Sequence, residues 1–263
     1  MIRWSLNISM LLKEYDFLDR FRAAADLGFG AVEFWWPAGI DLNALVKARE
    51  AAGVQVALFN ADGGNLAAGE RGFLGNPDRA DYVRENFTLA LDLAETLRCP
   101  LIHVLGGNIV AGMTRDEQLA QAAALQGELC AQAAERGITV TLEPQNQWDA
   151  PYYLFTHTAE ALAQIEAVGA PNLKLQYDIY HMQLMEGNIV NTLRRSINQI
   201  AHIQIADVPG RHQPGTGELN YPYIFSQIDA MGYDGYIGLE YNPVDGDTAA
   251  SLAWLPKEHR AGM

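Results

Sequence analysis

In Leu173-Lys-Leu-Gln-Tyr-Asp178, Leu173, Leu175 and Tyr177 fall on one face of a strand and Lys174, Gln176 and Asp178 on the other, because successive side chains in a strand point to opposite sides of the sheet. Three further runs share this pattern: Thr139-Val-Thr-Leu-Glu143, His202-Ile-Gln204 and Ile237-Gly-Leu-Glu240. Val140 and Leu142 oppose Thr141 and Glu143, while Ile203 and Ile205 oppose His202 and Gln204. Each run ends at or near an oxygen-bearing side chain, and successive runs are separated by about one strand plus its crossover helix. The spacing predicts parallel strands that deliver Glu143, Asp178, Gln204 and Glu240 to one place. Apolar faces then pack on helices and polar faces look inward, as in a closed barrel whose upper interior is a site. Such barrels ordinarily fill their interior with branched apolar side chains, so a polar face is informative.

Outward from these runs the chain counts as eight strand-then-helix units. The predicted strands before the four runs are Arg3–Ser9, Ala31–Trp36, Gln55–Asn60 and Leu101–Leu105. Helical spacing is predicted over Phe17–Leu27, Asp41–Ala52, Asp78–Leu97, Arg115–Arg136, Thr158–Val168, Ile189–Asn198, Tyr223–Met231 and Thr248–Glu258. Gly28, Gly53 and Gly137 stand where helices stop, and Thr156 or Thr158 is placed to cap the fifth helix. The loop Ala61–Asn76 is longer than a typical connection and suits a lid or binding segment. Strand one ends in Asn7-Ile-Ser9, without the glycine-rich phosphate turn of an open doubly wound sheet. The expected fold is therefore α/β, a (β/α)8 TIM barrel, with residues 1–263 forming a single domain.

The length of 263 residues suits that barrel, since about 250 is typical. A formal charge of -14 argues against nucleic acid and anionic membrane surfaces, both of which need a basic footprint. Cys99 and Cys130 lack metal-finger or CxxC spacing and are read as free structural thiols. No run of 18 or more apolar residues occurs, which removes a membrane-spanning helix. The first residues show no cleavage-site pattern. A cytoplasmic protein is expected, and a homo-oligomer is left open.

Three carboxylates and one amide oxygen crowded at a barrel mouth repel one another unless a cation sits between them. All-oxygen ligation suits Mg²⁺ or Mn²⁺ better than zinc. The chain resembles the hydroxypyruvate isomerase family of the xylose-isomerase-like barrel superfamily. The motifs that carry the resemblance are Asn65-Leu-Ala-Ala-Gly-Glu-Arg-Gly72, Leu142-Glu-Pro144, Tyr177-Asp-Ile-Tyr-His-Met-Gln183 with Met185-Glu-Gly187, the long stretch from His202 to Tyr221, and Gly235-Tyr-Ile-Gly-Leu-Glu-Tyr241. The resemblance implies a divalent metal on Glu143, Asp178, Gln204 and Glu240, with Glu143 and Glu240 as the acid/base pair. It also implies His181 as a hydrogen-bond donor to substrate. Gln204 replaces the His usual in ketose 3-epimerases and so favours the isomerase branch. The stretch Gln145-Asn-Gln147 departs in detail and leaves the fine substrate choice open.

Arg211, in the glycine-rich loop after strand seven, is the candidate for a substrate carboxylate, because such barrels often hold anions there. Glu70 and Arg71 are expected to contribute to substrate binding from a closing loop, with an internal ion pair between them as the alternative. Glu33 and His103 are read as facing the barrel interior without an assigned role. Together these readings imply a metal-dependent aldose–ketose isomerase acting on a small hydroxy-oxo acid. Hydroxypyruvate and 2-hydroxy-3-oxopropanoate (tartronate semialdehyde) would interconvert through an enediolate. The alternatives are a four-carbon 2-oxo-tetronate as substrate and, further off, epimerisation of a free ketose. Two readings from other classes are a zinc repair endonuclease of the same superfamily, which needs more His ligands and a basic groove, and a non-catalytic metal- or metabolite-binding barrel.

Overall fold

The computed structural model describes residues 2–261. Eight strands, β1 (Arg3–Asn7), β2 (Ala31–Phe34), β3 (Gln55–Asn60), β4 (Leu101–His103), β5 (Thr139–Leu142), β6 (Leu173–Asp178), β7 (Ile200–Ile205) and β8 (Tyr236–Leu239), pair in parallel in sequence order. The barrel closes where Arg3, Trp4, Ser5 and Leu6 of β1 pair with Tyr236, Ile237, Gly238 and Leu239 of β8. The alternation read from the sequence holds. Leu173, Leu175, Tyr177, Ile203, Ile205, Ile237 and Leu239 join the apolar core between strands and helices. Ser5, Asn7, Glu33, His103, Thr141, Gln176, Asp178, His202 and Gln204 are also buried, on the polar face. Several expected strands run one or two residues shorter, because the barrel ladder ends before the residues that turn into the upper loops.

The helices are α1 (Arg20–Asp26), α2 (Leu42–Ala52), α3 (Ala80–Leu97), α4 (Arg115–Glu135), α5 (Thr158–Val168), α6 (Ile179–Met185), α7 (Ile189–Ser196), α8 (Tyr221–Ala230) and α9 (Thr248–Ser251). Local chemistry sets their ends. Asp41 caps α2 by accepting from the Asn43 and Ala44 amides, and Gly53 stops it in the left-handed region. Thr114 and Glu117 form a reciprocal capping box on α4. At the start of α5, Glu160 accepts from the Thr156 and His157 amides, so the capping comes from the third helical residue and not from Thr156 or Thr158.

Three expectations about helices are corrected. The first helix opens with a 3-10 turn over Phe17–Asp19. The last is one turn, Thr248–Ser251, followed by a separate 3-10 turn at Lys257–His259 after Pro256, since a proline disfavours helical conformation in the residue before it. Helix α6 follows β6 with no loop, and Asp178 caps it.

Candidate active site

The upper loops frame a cavity of about 490 Å³ lined in part by Trp35, Arg71, Glu143, His181, Arg211 and Glu240. Asp178 and Gln204 are buried and paired in register across β6 and β7. Glu240 stands just past the end of β8. Its Oε1 accepts from Asn7 Nδ2 at 2.9 Å and Trp35 Nε1 at 3.0 Å, and its Oε2 pairs with Arg211 Nη2 at 2.8 Å. Glu143 Oε2 accepts from Gln145 Nε2 at 2.8 Å, and its Oε1 lies 3.4 Å from Gln176 Nε2. Asp178 Oδ1 accepts from the Tyr180 amide at 2.8 Å. Among the described residues its Oδ2 has no hydrogen-bond partner, with His181 Nε2 at 3.5 Å and Arg211 Nη2 at 3.6 Å.

Burying three carboxylates together makes each harder to ionise. Burial first, then the charges of Glu240 and Asp178, pushes Glu143 well above the usual carboxylate range. Burial raises Asp178 to about 7 against the pull of Arg211. Glu240 is also raised by burial, with Arg211 opposing. Such a cluster favours an added cation. The orphaned Asp178 Oδ2 is the matching observation, because a buried acceptor without a partner is costly.

Ligand atoms of Glu143, Asp178 and His181 lie within 4.8 Å of one another, a grouping able to hold a metal ion. The ring of His181 argues for dividing that group. Its Nδ1 accepts from the Asn146 amide at 3.2 Å and sits 2.6 Å from Asn146 Nδ2. Asn146 Oδ1 is occupied by the Trp148 and Asp149 amides, which turns its NH₂ toward the ring. The ring proton of His181 therefore belongs on Nε2, leaving a donor there and no lone pair for a metal. Burial, with Arg211 adding to it, holds the ring well below its usual range and so neutral. The oxygens of the cluster are the better cation donors, and the donor set fits a hard divalent ion.

Gln204 is oriented from below. Its Nε2 donates to Glu33 Oε1 at 2.8 Å, and its Oε1 accepts from Gln176 Nε2 at 2.7 Å. An amide oxygen has two lone pairs, so one is left over. Glu33 is fully buried, and burial opposes its ionisation. His202 at 2.7 Å and hydrogen bonds from Ser5 and Gln204 outweigh that cost and hold it below the usual carboxylate range. Glu33 and His103 are buried inside the barrel, as their strand faces predict. The structure places Glu33 in contact with Gln204, and His103 Nε2 lies 3.6 Å from Glu143 Oε2.

The two arginines expected to meet the substrate both line the cavity, with different partners. Arg211 lines the cavity, but its guanidinium already faces protein carboxylates: Glu240, Asp178 and, at 3.8 Å, Asp149. Its Nε is buried without a hydrogen-bond partner among the described residues. Arg71 also lines the cavity and donates to the carbonyls of Leu66 and Glu70, with no ion pair among the described residues. Glu70 does not pair with Arg71. It meets Arg79 at 3.2 Å and the Asn65 amide at 2.6 Å, and it is absent from the cavity lining. The loop that carries them is pressed against the end of β4, where a side chain on Gly72 would collide with the Leu105 carbonyl. Trp35, Asn7, Gln176 and Asn146 were missed as site residues. Gln176 shares a strand face with Asp178, a signal present in the sequence, whereas Trp35 and Asn146 sit in loops where alternation gives no direction.

Residues 21–258 match the model of the xylose isomerase-like TIM barrel family. The chain is 45% identical over 258 residues to the 2-oxo-tetronate isomerase of Cupriavidus necator, covering 97% of this chain and 98% of that protein. It is 40% identical over 255 residues to the hydroxypyruvate isomerase of Escherichia coli, covering 97% and 98%. Among solved structures, a Brucella melitensis protein described as an AP endonuclease, family 2, superposes with a TM-score of 0.93 at 38% identity, over 97% of this chain and 98% of that one.

Proposed function

The chain belongs to the xylose isomerase-like TIM barrel family and is an isomerase of the kind represented by hydroxypyruvate isomerase and 2-oxo-tetronate isomerase; from that premise we propose that it interconverts hydroxypyruvate and 2-hydroxy-3-oxopropanoate. The observation behind this reading is that buried Glu143 and Asp178 bring ligand atoms within 4.8 Å of each other, beside an Asp178 Oδ2 without a hydrogen-bond partner among the described residues, with Glu240 buried next to them on Arg211. The reaction moves a carbonyl between adjacent carbons. A proton leaves the hydroxymethyl carbon next to the keto group, an enediolate forms, and a proton returns to the former keto carbon.

Glu143 and Glu240 are the proposed proton carriers, one removing and the other returning. The burial that raises them also makes each a stronger base once ionised. We assign Glu143, Asp178, Gln204 and Glu240 as ligands of a Mg²⁺ or Mn²⁺ ion, on the hardness of their oxygens. Such an ion, when bound, supplies Lewis-acid stabilisation of the charge that develops on the substrate oxygens. His181 donates from Nε2 to a substrate oxygen. Arg71, without a carboxylate partner, and Arg211 together offer the positive charge that a substrate carboxylate needs in so acidic a protein.

A four-carbon 2-oxo-tetronate is the second reading, favoured by the 45% identity to the Cupriavidus necator enzyme. Endonuclease activity is disfavoured. The charge of -14 offers no basic footprint, and the metal-ready group among the described residues contains a single histidine. The test is a panel of hydroxypyruvate, a four-carbon 2-oxo acid and free ketoses, assayed after chelation and after restoring Mg²⁺ or Mn²⁺. Turnover of a short 2-oxo acid should vanish on chelation and return with either ion. Full activity in protein shown to be metal-free by elemental analysis, or faster turnover of free ketoses than of the acids, would overturn the reading.

A further inference from the structure

Beneath the cavity, the lumen holds a charge where a barrel of this kind ordinarily carries branched apolar side chains. Glu33, on β2, reaches across the lumen to β7 and takes contacts on both oxygens. Oε1 receives Gln204 Nε2 at 2.8 Å and Asn7 Nδ2 at 3.3 Å, while Oε2 receives the Ser5 hydroxyl at 2.5 Å and lies 2.7 Å from His202 Nε2. The space for this carboxylate is built in. Gly238, paired in register with both Ser5 and Gln204, has no side chain, and a Cβ there would overlap both Glu33 oxygens.

A group with donors on both sides must offer an acceptor on both sides. A carboxylate does this and an amide does not, since one end of an amide is itself a donor. The consequence for Gln204 follows from the same rule. With its Nε2 held by Glu33, its oxygen has to point the other way, toward Gln176 and the carboxylate cluster. Asn7 extends the link, because the Nδ2 that meets Glu33 also donates to Glu240 Oε1.

We infer that Glu33 is a positioning residue that fixes the amide of Gln204 with its oxygen toward the metal side of the site, and that Gly238 is the space that admits it. The inference rests on the proposed reading of Gln204 as a ligand. Partners that orient a ligand commonly change metal affinity by 10- to 100-fold when altered.

The experiment measures Mn²⁺ alone, by calorimetry and electron paramagnetic resonance, on the full chain without substrate. Glu33→Gln should weaken Mn²⁺ binding about 10- to 100-fold, because the new amide turns the Gln204 amide or leaves a donor unpaired. Gly238→Ala, which crowds the Glu33 carboxylate and leaves Gln204 unchanged, should weaken binding in the same direction and gives a reading if Glu33→Gln does not fold. Gln204→Ala separates the two ideas. If wild type binds Mn²⁺ and Gln204→Ala does not weaken it, the ligand reading fails. If Gln204→Ala weakens binding while Glu33→Gln or Gly238→Ala leaves it unchanged, the positioning role is overturned and the ligand reading stands.

Discussion

His103 is a fully buried ring whose Nδ1 donates to the Thr141 carbonyl at 3.1 Å and whose Nε2 has no hydrogen-bond partner among the described residues. Burial lowers its pKa from 6.5 to about 4. A histidine lowered on folding stabilises the fold above its unfolded value and gives that stability up as the pH falls from about 6.5 through about 4. The full difference is about 3 kcal/mol for a shift of that size. His103→Asn keeps a donor near Nδ1 and removes the titration. Denaturant midpoints measured from pH 7 to 4 should show wild type losing stability relative to the variant as the pH falls, and parallel curves would remove His103 from the acid response. The sequence placed His103 and Glu33 inside the barrel, but period-two alternation gives only a face. It does not say which inward residue meets which across the lumen, so the contacts from Glu33 to Gln204 and from Asn7 to Glu240, spanning 171 and 233 residues, were not legible.

The element that places Arg211 is the loop between β7 and α8, and one side chain holds it. Asp207 Oδ2 accepts from the amides of Gly215, Thr216 and Gly217, and Oδ1 accepts from those of Val208 and Leu219. Within this wrap Arg211 takes a φ of 54°, an uncommon region for a residue other than glycine, and its carbonyl accepts from the Asn242 amide. Asp207→Ala strands five amides and frees the loop, so kcat/KM on the carboxylate substrate should fall about tenfold or more, with a lower Tm. Unchanged kinetics in folded Asp207→Ala would show that the loop does not depend on this anchor. The glycine-rich composition marked the stretch as a loop, while its internal bonding depends on three-dimensional closure. Helix α6 was missed for a related reason: it spans only Ile179–Met185 and starts where β6 ends, which leaves the sequence no turn signal.

Across the whole molecule, the sequence pattern reached furthest in predicting a closed barrel with a polar lumen, because alternation in several strands points one way only if the polar faces converge. The acidic balance, 32 Asp and Glu against 18 Lys and Arg, sharpens the chemical question. The proposed carboxylate substrate would enter a cavity lined by Glu143 and Glu240, whose charge the proposed cation and the two cavity arginines would offset. The central claim is that Glu143 and Glu240 carry a proton between adjacent substrate carbons. Turnover of hydroxypyruvate in D₂O with Mg²⁺ or Mn²⁺, read by NMR against an enzyme-free control, measures this directly. Because the group that returns the proton is not the one that took it, the product should carry solvent deuterium on carbon. Glu143→Gln and Glu240→Gln should slow its formation by about 10²-fold or more while retaining an oxygen ligand for Mn²⁺. Product free of carbon-bound deuterium, with both variants turning over at the wild-type rate, would contradict the account.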